Sequence, residues 1–241
     1  MRKLLAAGSM AILAAACSAG AQEGDEQARG ERGARNFEIG AFQSVSLEGA
    51  HDVVVTVGGE PSVRAEGDAR AIERLDIRVE NGTLKIGSRR GGSWFSSRRG
   101  HVTIHVSAPA LRAASIGGSG DMRIDRVEAP RFAASIGGSG DMEIGALRAR
   151  QASFSIAGSG DISAAGQADE ADISIAGSGS VSGESLQTRR ADVSIVGSGD
   201  VSLRASEAVD ASIMGSGDVN VTGAARCTVS KLGSGDVHCS N

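Results

Sequence analysis

Seven copies of one short motif in the C-terminal half of the chain limit what it can fold into. Gly-Ser-Gly followed by Asp, once by Ser, starts at Gly118, Gly138, Gly158, Gly177, Gly197, Gly215 and Gly233. Successive starts lie 20, 20, 19, 20, 18 and 18 residues apart. A fixed period of this length marks a chain built from stacked, like units.

The flanking residues keep register with the motif. Three places before its first Gly stand Ser115, Ser135, Ser155, Ser174, Ser194, Ser212 and Ser230. Two places before it, six Ile run from Ile116 to Ile213, with Lys231 in the last copy. Directly after the Asp place stand Met122, Met142, Ile162, Val181, Val201, Val219 and Val237. Apolar and polar residues thus alternate on both sides of each turn, the period of a strand with one buried face. One such unit cannot bury that face alone, whereas stacked units can.

The expected fold is all-β: a single-stranded parallel β-helix, or solenoid, with 18–20-residue coils turning at the GSGD motifs. The rival arrangement is an antiparallel meander with each GSGD as a hairpin turn. Aromatics are 2% of the chain and Tyr is absent. Membrane barrels carry aromatic girdles and longer strands, so that class is disfavoured.

Regular repeats occupy residues 111–241 of a domain expected over 36–241, and 36–110 form an irregular N-terminal β elaboration. Within it, Gly49-Ala50-His51-Asp52 reads as a degenerate first copy of the motif. Asp68 is placed to cap a short helix. Ile77 to Ile86 reads as a hairpin around Asn81-Gly82, the dipeptide of a type I′ turn, with Val79 opposite Leu84.

Residues 1–21 read as a signal peptide, with a basic start and an apolar run from Leu4 to Ala16. Two processing sites compete. Leu13-Ala14-Ala15-Ala16-Cys17 resembles a lipobox and makes Cys17 a lipidation candidate. Ala19-Gly20-Ala21 is an A-x-A site with Gln22 as first mature residue. Residues 22–35 read as a disordered linker. An exported protein of the periplasm or outer membrane follows from either site, and the Cys17 site adds a lipid anchor.

Several stretches resemble the head GIN domain family, an auto-transporter-adhesin-like domain of bacterial envelopes with unknown biochemical function. They are Phe37-Glu38-Ile39, Gly49-Ala50-His51-Asp52-Val53, Val63 to Asp68, Asn81 to Ile86 and the GSGD series. The resemblance implies an exported, often lipid-anchored β-solenoid and supplies no catalytic motif.

Asp121, Asp141, Asp161, Asp200, Asp218 and Asp236 form a row broken by Ser180. Such a row could hold calcium, the one cofactor considered, or an acid–base pair. The favoured reading is structural: an Asx-type cap in which each carboxylate accepts N–H bonds at its own turn. No metal site is expected. The Ser rows lack a recurring base, so a nucleophilic Ser is disfavoured.

The best binding candidate is the one loop that does not repeat, with Arg89, Arg90, Trp94, Phe95, Arg98 and Arg99. Cys227 and Cys239 flank the last motif and are a disulfide candidate. A net charge of -4 offers no footprint for nucleic acid. The partners expected are an unidentified envelope protein or surface component, the membrane through the anchor, and end-on self-association.

The function expected is that of a non-catalytic envelope solenoid presenting a surface for adhesion, scaffolding or partner binding. The alternatives are a carbohydrate-active β-helix of the polysaccharide lyase type, using the Asp row with calcium, and an accessory of an envelope signalling or stress system.

Overall fold

The structure is a computed structural model and describes residues 31–89 and 100–240. The signal peptide, Cys17 and most of the linker expected from the sequence lie outside the described residues.

The chain opens with β1 (Arg32–Phe37), β2 (Ser44–Gly49), β3 (Asp52–Val57) and β4 (Ser62–Asp68), followed by α1 (Ala69–Glu73). Then come the hairpin strands β5 (Leu75–Glu80) and β6 (Thr83–Ser88), and β7 (Val102–Ala108). The repeats begin with β8 (Ala113–Gly118), β9 (Met122–Ile124) and β10 (Val127–Gly138). Four long strands follow: β11 (Met142–Gly158), β12 (Ile162–Gly177), β13 (Val181–Gly197) and β14 (Val201–Gly215). The last described coil is built by β15 (Val219–Thr222), β16 (Arg226–Gly233) and β17 (Val237–Ser240).

From β8 onward every pairing is parallel and joins a residue to its counterpart one coil away. Ser135 pairs with Ser155, Ser155 with Ser174, Ser174 with Ser194 and Ser194 with Ser212. This is the solenoid, not the meander. The six Ile before the motifs and the Met, Ile and Val after them through Val219 stack inside as one buried column each. Phe132, Phe154 and, in the first coil, Phe42 are among the largest fully buried side chains.

The first motif copy is a true coil. Leu47 pairs with Ile116, Gly49 with Gly118, Val53 with Met122 and Val55 with Ile124. The remaining elaboration covers this coil from its other side: β6 pairs in parallel with β2, and β7 with β3. Val79 faces Leu84 and Ile77 faces Ile86 in the hairpin. Its turn residues Asn81 and Gly82 have φ of 50° and 73°, both positive as a type I′ turn requires. Asp68 caps α1, its Oδ1 accepting the Ala71 N–H at 2.9 Å.

One boundary needs correction. Residues 32–35 were expected in the linker, but they belong to β1, which pairs antiparallel with β4 from Arg32↔Asp68 to Phe37↔Val63. The segment has no apolar alternation because it is an edge strand held by backbone bonds. Gly33 is there for space: a Cβ on it would lie 3.3 Å from the Ala69 Cβ of α1.

Both glycines of each motif are explained by stacking. The first has φ between +132° and +153° in all seven copies, a region that L side chains rarely adopt. The second also has no room. A Cβ on Gly138 would lie 2.1 Å from the Gly118 carbonyl oxygen, and one on Gly140 would lie 2.0 Å from that of Gly120. The coils turn so tightly that backbone passes over backbone, and only glycine fits.

Candidate functional site

The Asp row lies on the outside of this corner. Its carboxylates do not cap their own turns, as the sequence suggested; they reach to the next coil. Asp121 Oδ1 accepts the Asp141 N–H at 2.9 Å, and Asp141 Oδ1 accepts the Asp161 N–H at 3.0 Å. Asp161 does the same for Ser180, Asp200 for Asp218, and Asp218 for Asp236. The reason is geometric. In a parallel stack the nearest outward-pointing N–H belongs to the same position one coil on. One carboxylate oxygen of Asp121, Asp141, Asp161, Asp200 and Asp218 is therefore committed to accepting a backbone N–H. Among the described residues, no three His, Cys, Asp or Glu side chains converge as a metal site would require.

The sheet face leading into the corner carries three outward columns. The first ends in Asp172, Asp192, Asp210 and Thr228, in register. The second is the Ser column. The third lies one residue before the motif: Gly117, Gly137, Ala157, Ala176, Val196, Met214 and Leu232. Its side chains grow along the solenoid. Val196, Met214 and Leu232 pair in register and stand 53%, 56% and 70% exposed. The sequence reading had followed the columns on either side and missed this one.

Between the Asp and Ser columns runs a shallow trough of about 560 Å³. Burial raises the Asp192 pKa above the usual carboxylate range, and the neighbouring charges of Asp172 and Asp210 raise it further. Asp172 is better served, since Gln151 Nε2 donates to its Oδ2 at 2.9 Å.

A second concavity lies at another corner of the coil, and it arises from the change in period. Between β13 and β14 the register jumps from Gly183↔Leu203 to Gln187↔Arg204, then from Thr188↔Ala205 to Arg190↔Ala208. The first jump omits three residues and the second adds one, which accounts for the shortening from 20 to 18. The corner therefore recedes in the later coils. The step leaves a groove of about 650 Å³ lined by Arg148, Gln167, Gln187, Thr188, Arg189 and Arg204, among others.

Other expected site residues fall as follows. Arg89 is exposed just beyond β6, where its N–H donates to the Arg74 carbonyl at 2.9 Å. Arg90, Trp94, Phe95, Arg98 and Arg99 lie outside the described residues. Cys227 and Cys239 are joined by a disulfide that ties β16 to β17, with Cα atoms 6.7 Å apart. Lys231 reaches over its own turn, its Nζ donating to the Gly235 carbonyl at 3.0 Å and to Asp236 at 2.9 Å. His101 Nε2 lies 2.8 Å from Asp52 Oδ2. His51 bonds Ser88 at 3.1 Å, and its pKa is lowered by burial and by His101 against the opposing pull of Asp52.

Three solved structures share this architecture. A "putative adhesin" from Bacteroides fragilis NCTC 9343 matches with a TM-score of 0.78 at 20% identity, covering 87% of this chain and 97% of that one. A "putative lipid binding protein" from Parabacteroides distasonis ATCC 8503 has a TM-score of 0.71 at 26% identity, with the same coverage. A "putative adhesin" from Parabacteroides merdae ATCC 43184 has a TM-score of 0.69 at 18% identity, covering 87% and 96%. No curated protein matches. The model of the family described as "Putative auto-transporter adhesin, head GIN domain" matches residues 41–225, from just before β2 to just past β15, and the chain belongs to that family.

Proposed function

We propose that this protein is an exported, non-catalytic envelope solenoid that acts as an adhesin-like docking surface. The observation that carries the reading is the in-register column Val196, Met214 and Leu232, standing beside the Ser column on one sheet face. Apolar side chains gathered at one exposed place mark contact surfaces more often than scattered ones do. A rigid sheet presents them at a fixed spacing, so little ordering entropy is lost on docking. The family's description as adhesins supports the same reading.

A second reading has support in the same column. Exposed Val, Met and Leu also suit an acyl surface, and the Parabacteroides distasonis relative is described as a lipid binding protein.

The experiment compares wild type with the Val196→Ser, Met214→Ser, Leu232→Ser triple variant. Each is coated on beads and offered bacterial envelope fragments or phosphatidylglycerol vesicles. Adhesion to fragments that the triple variant loses supports the docking surface. Loss of vesicle binding alone supports the lipid reading. Equal adhesion by both proteins contradicts the assignment to this face.

A further inference from the structure

We infer that the corner groove is a binding site for a linear acidic polysaccharide, lying along the solenoid axis. It is separate from the apolar column and does not depend on the docking role proposed for it.

Side chains along the groove follow a fixed order. Arg148 pairs in register with Gln167, Gln167 with Gln187, and Gln187 with Arg204. Four consecutive coils thus present Arg, Gln, Gln and Arg in one exposed column. At about 4.8 Å per coil, the two guanidinium-bearing rungs are about 14 Å apart along the axis. A ligand that meets all four must be extended and must run across the strands.

Charge points to the same ligand. Two arginines near this corner have carboxylate partners: Arg189 and Arg190 bind Glu207, and Arg190 also meets Glu170. Arg148 and Arg204 have no carboxylate within 4.0 Å among the described residues, although both face the groove. One acidic residue, Asp169, also lines it. The balance is cationic in a protein whose net charge is -4. Two planar guanidinium groups held at fixed spacing suit carboxylates, which they bind through paired hydrogen bonds.

The shape of the groove suits a narrow chain. The column next to the rungs is Ala149, Ala168, Thr188 and Ala205, also in register. These side chains are small, and Thr188 turns its hydroxyl away to donate to the Arg204 carbonyl at 2.9 Å. The receding 18-residue coils open the far end beside Gly223 and Ala224. A narrow chain can settle there, with the Gln amides donating to and accepting from hydroxyl groups between its carboxylates. Single-stranded nucleic acid would need aromatic platforms for its bases, and no lining residue supplies one.

The test is calorimetric titration of the full chain with oligogalacturonate, with neutral dextran and with dextran sulfate of matched length, at 0.15 M salt. Wild type is expected to bind oligogalacturonate and not dextran. Arg148→Gln and Arg204→Gln are each expected to weaken it about tenfold. Gln167→Ala with Gln187→Ala should weaken it with an unchanged salt dependence, since no charge is lost. Thermal melts of each variant exclude unfolding as the cause. The apolar triple variant should bind oligogalacturonate like wild type, so failure of the docking surface and failure of this site are distinguishable. Absence of oligogalacturonate binding, binding by both Arg variants as tight as that of wild type, or binding to dextran sulfate alone overturns the proposal.

Discussion

Asp121 and Asp141 stand one coil apart, and the carboxylate of the first holds the backbone N–H of the second at 2.9 Å. Repeated along the stack, this contact makes the aspartates part of the solenoid's own bonding. Asp161→Ala removes the acceptor for the Ser180 N–H and should destabilise by about 1 kcal/mol, while Asp161→Asn, which keeps an acceptor oxygen, should lose less. Ser180→Asn should gain about half that amount by offering Asp200 the bond found at the other rungs. Urea unfolding curves on the four proteins decide both.

Gly158 and Gly40 make a sharper contrast. Gly158 has φ of +143° and its added Cβ would lie 2.1 Å from the Gly138 carbonyl oxygen. Gly158→Ala should cost more than about 3 kcal/mol, beyond ordinary overpacking, because backbone cannot yield as a side chain can. Gly40→Ala meets nothing within 4 Å and should change stability by less than about 0.5 kcal/mol. Melting temperatures of the two variants test the difference.

How much of this was legible in the sequence depends on periodicity. The motif register, the hairpin at Asn81-Gly82 and the pairing of Cys227 with Cys239 could all be read because each is local or repeats. The Asp bonds were read toward the wrong partner, since a row of identical residues does not say whether contacts run within a coil or between coils. The groove was missed for a related reason. Arg148, Gln167, Gln187 and Arg204 are spaced by 19, 20 and 17 residues, so their common column appears only once the register jumps are known. The shortening of the last two periods was the available signal. The column ending in Val196, Met214 and Leu232 was readable, but its early members are Gly and Ala and draw no attention.

The disulfide should protect the last coil selectively. Cys227 and Cys239 are 12 residues apart, and closing a loop of this size is worth about 3 kcal/mol in the chain-entropy account. Nearest-neighbour stacking confines the effect. Cys227→Ser with Cys239→Ser should speed hydrogen exchange in β16 and β17 strongly and leave β10 to β12 protected. Uniform loss of protection would contradict this localisation.

Asp192 gives a pH dependence with a definite sign. Its folded pKa lies above the ordinary value of 3.8, so the folded chain holds this proton more tightly than the unfolded chain does. Its contribution to stability therefore rises as pH falls through the folded pKa and is unfavourable at neutral pH. Asp192→Asn should stabilise at pH 7 by less than about 1 kcal/mol, because water screens the exposed row. The advantage should vanish below pH 3.8. Melts across pH 3 to pH 7 provide the check.

The central claim is that each GSGD motif turns one coil of a parallel stack. Spin labels placed in pairs on the exposed motif serines test it directly: Ser119 with Ser198, four coils on, and Ser119 with Ser234, six coils on. A parallel solenoid predicts backbone separations of about 19 Å and about 29 Å, growing by one strand spacing per motif. A meander with GSGD at every hairpin places two strands in each repeat, so separations of about 38 Å and about 58 Å would contradict the account.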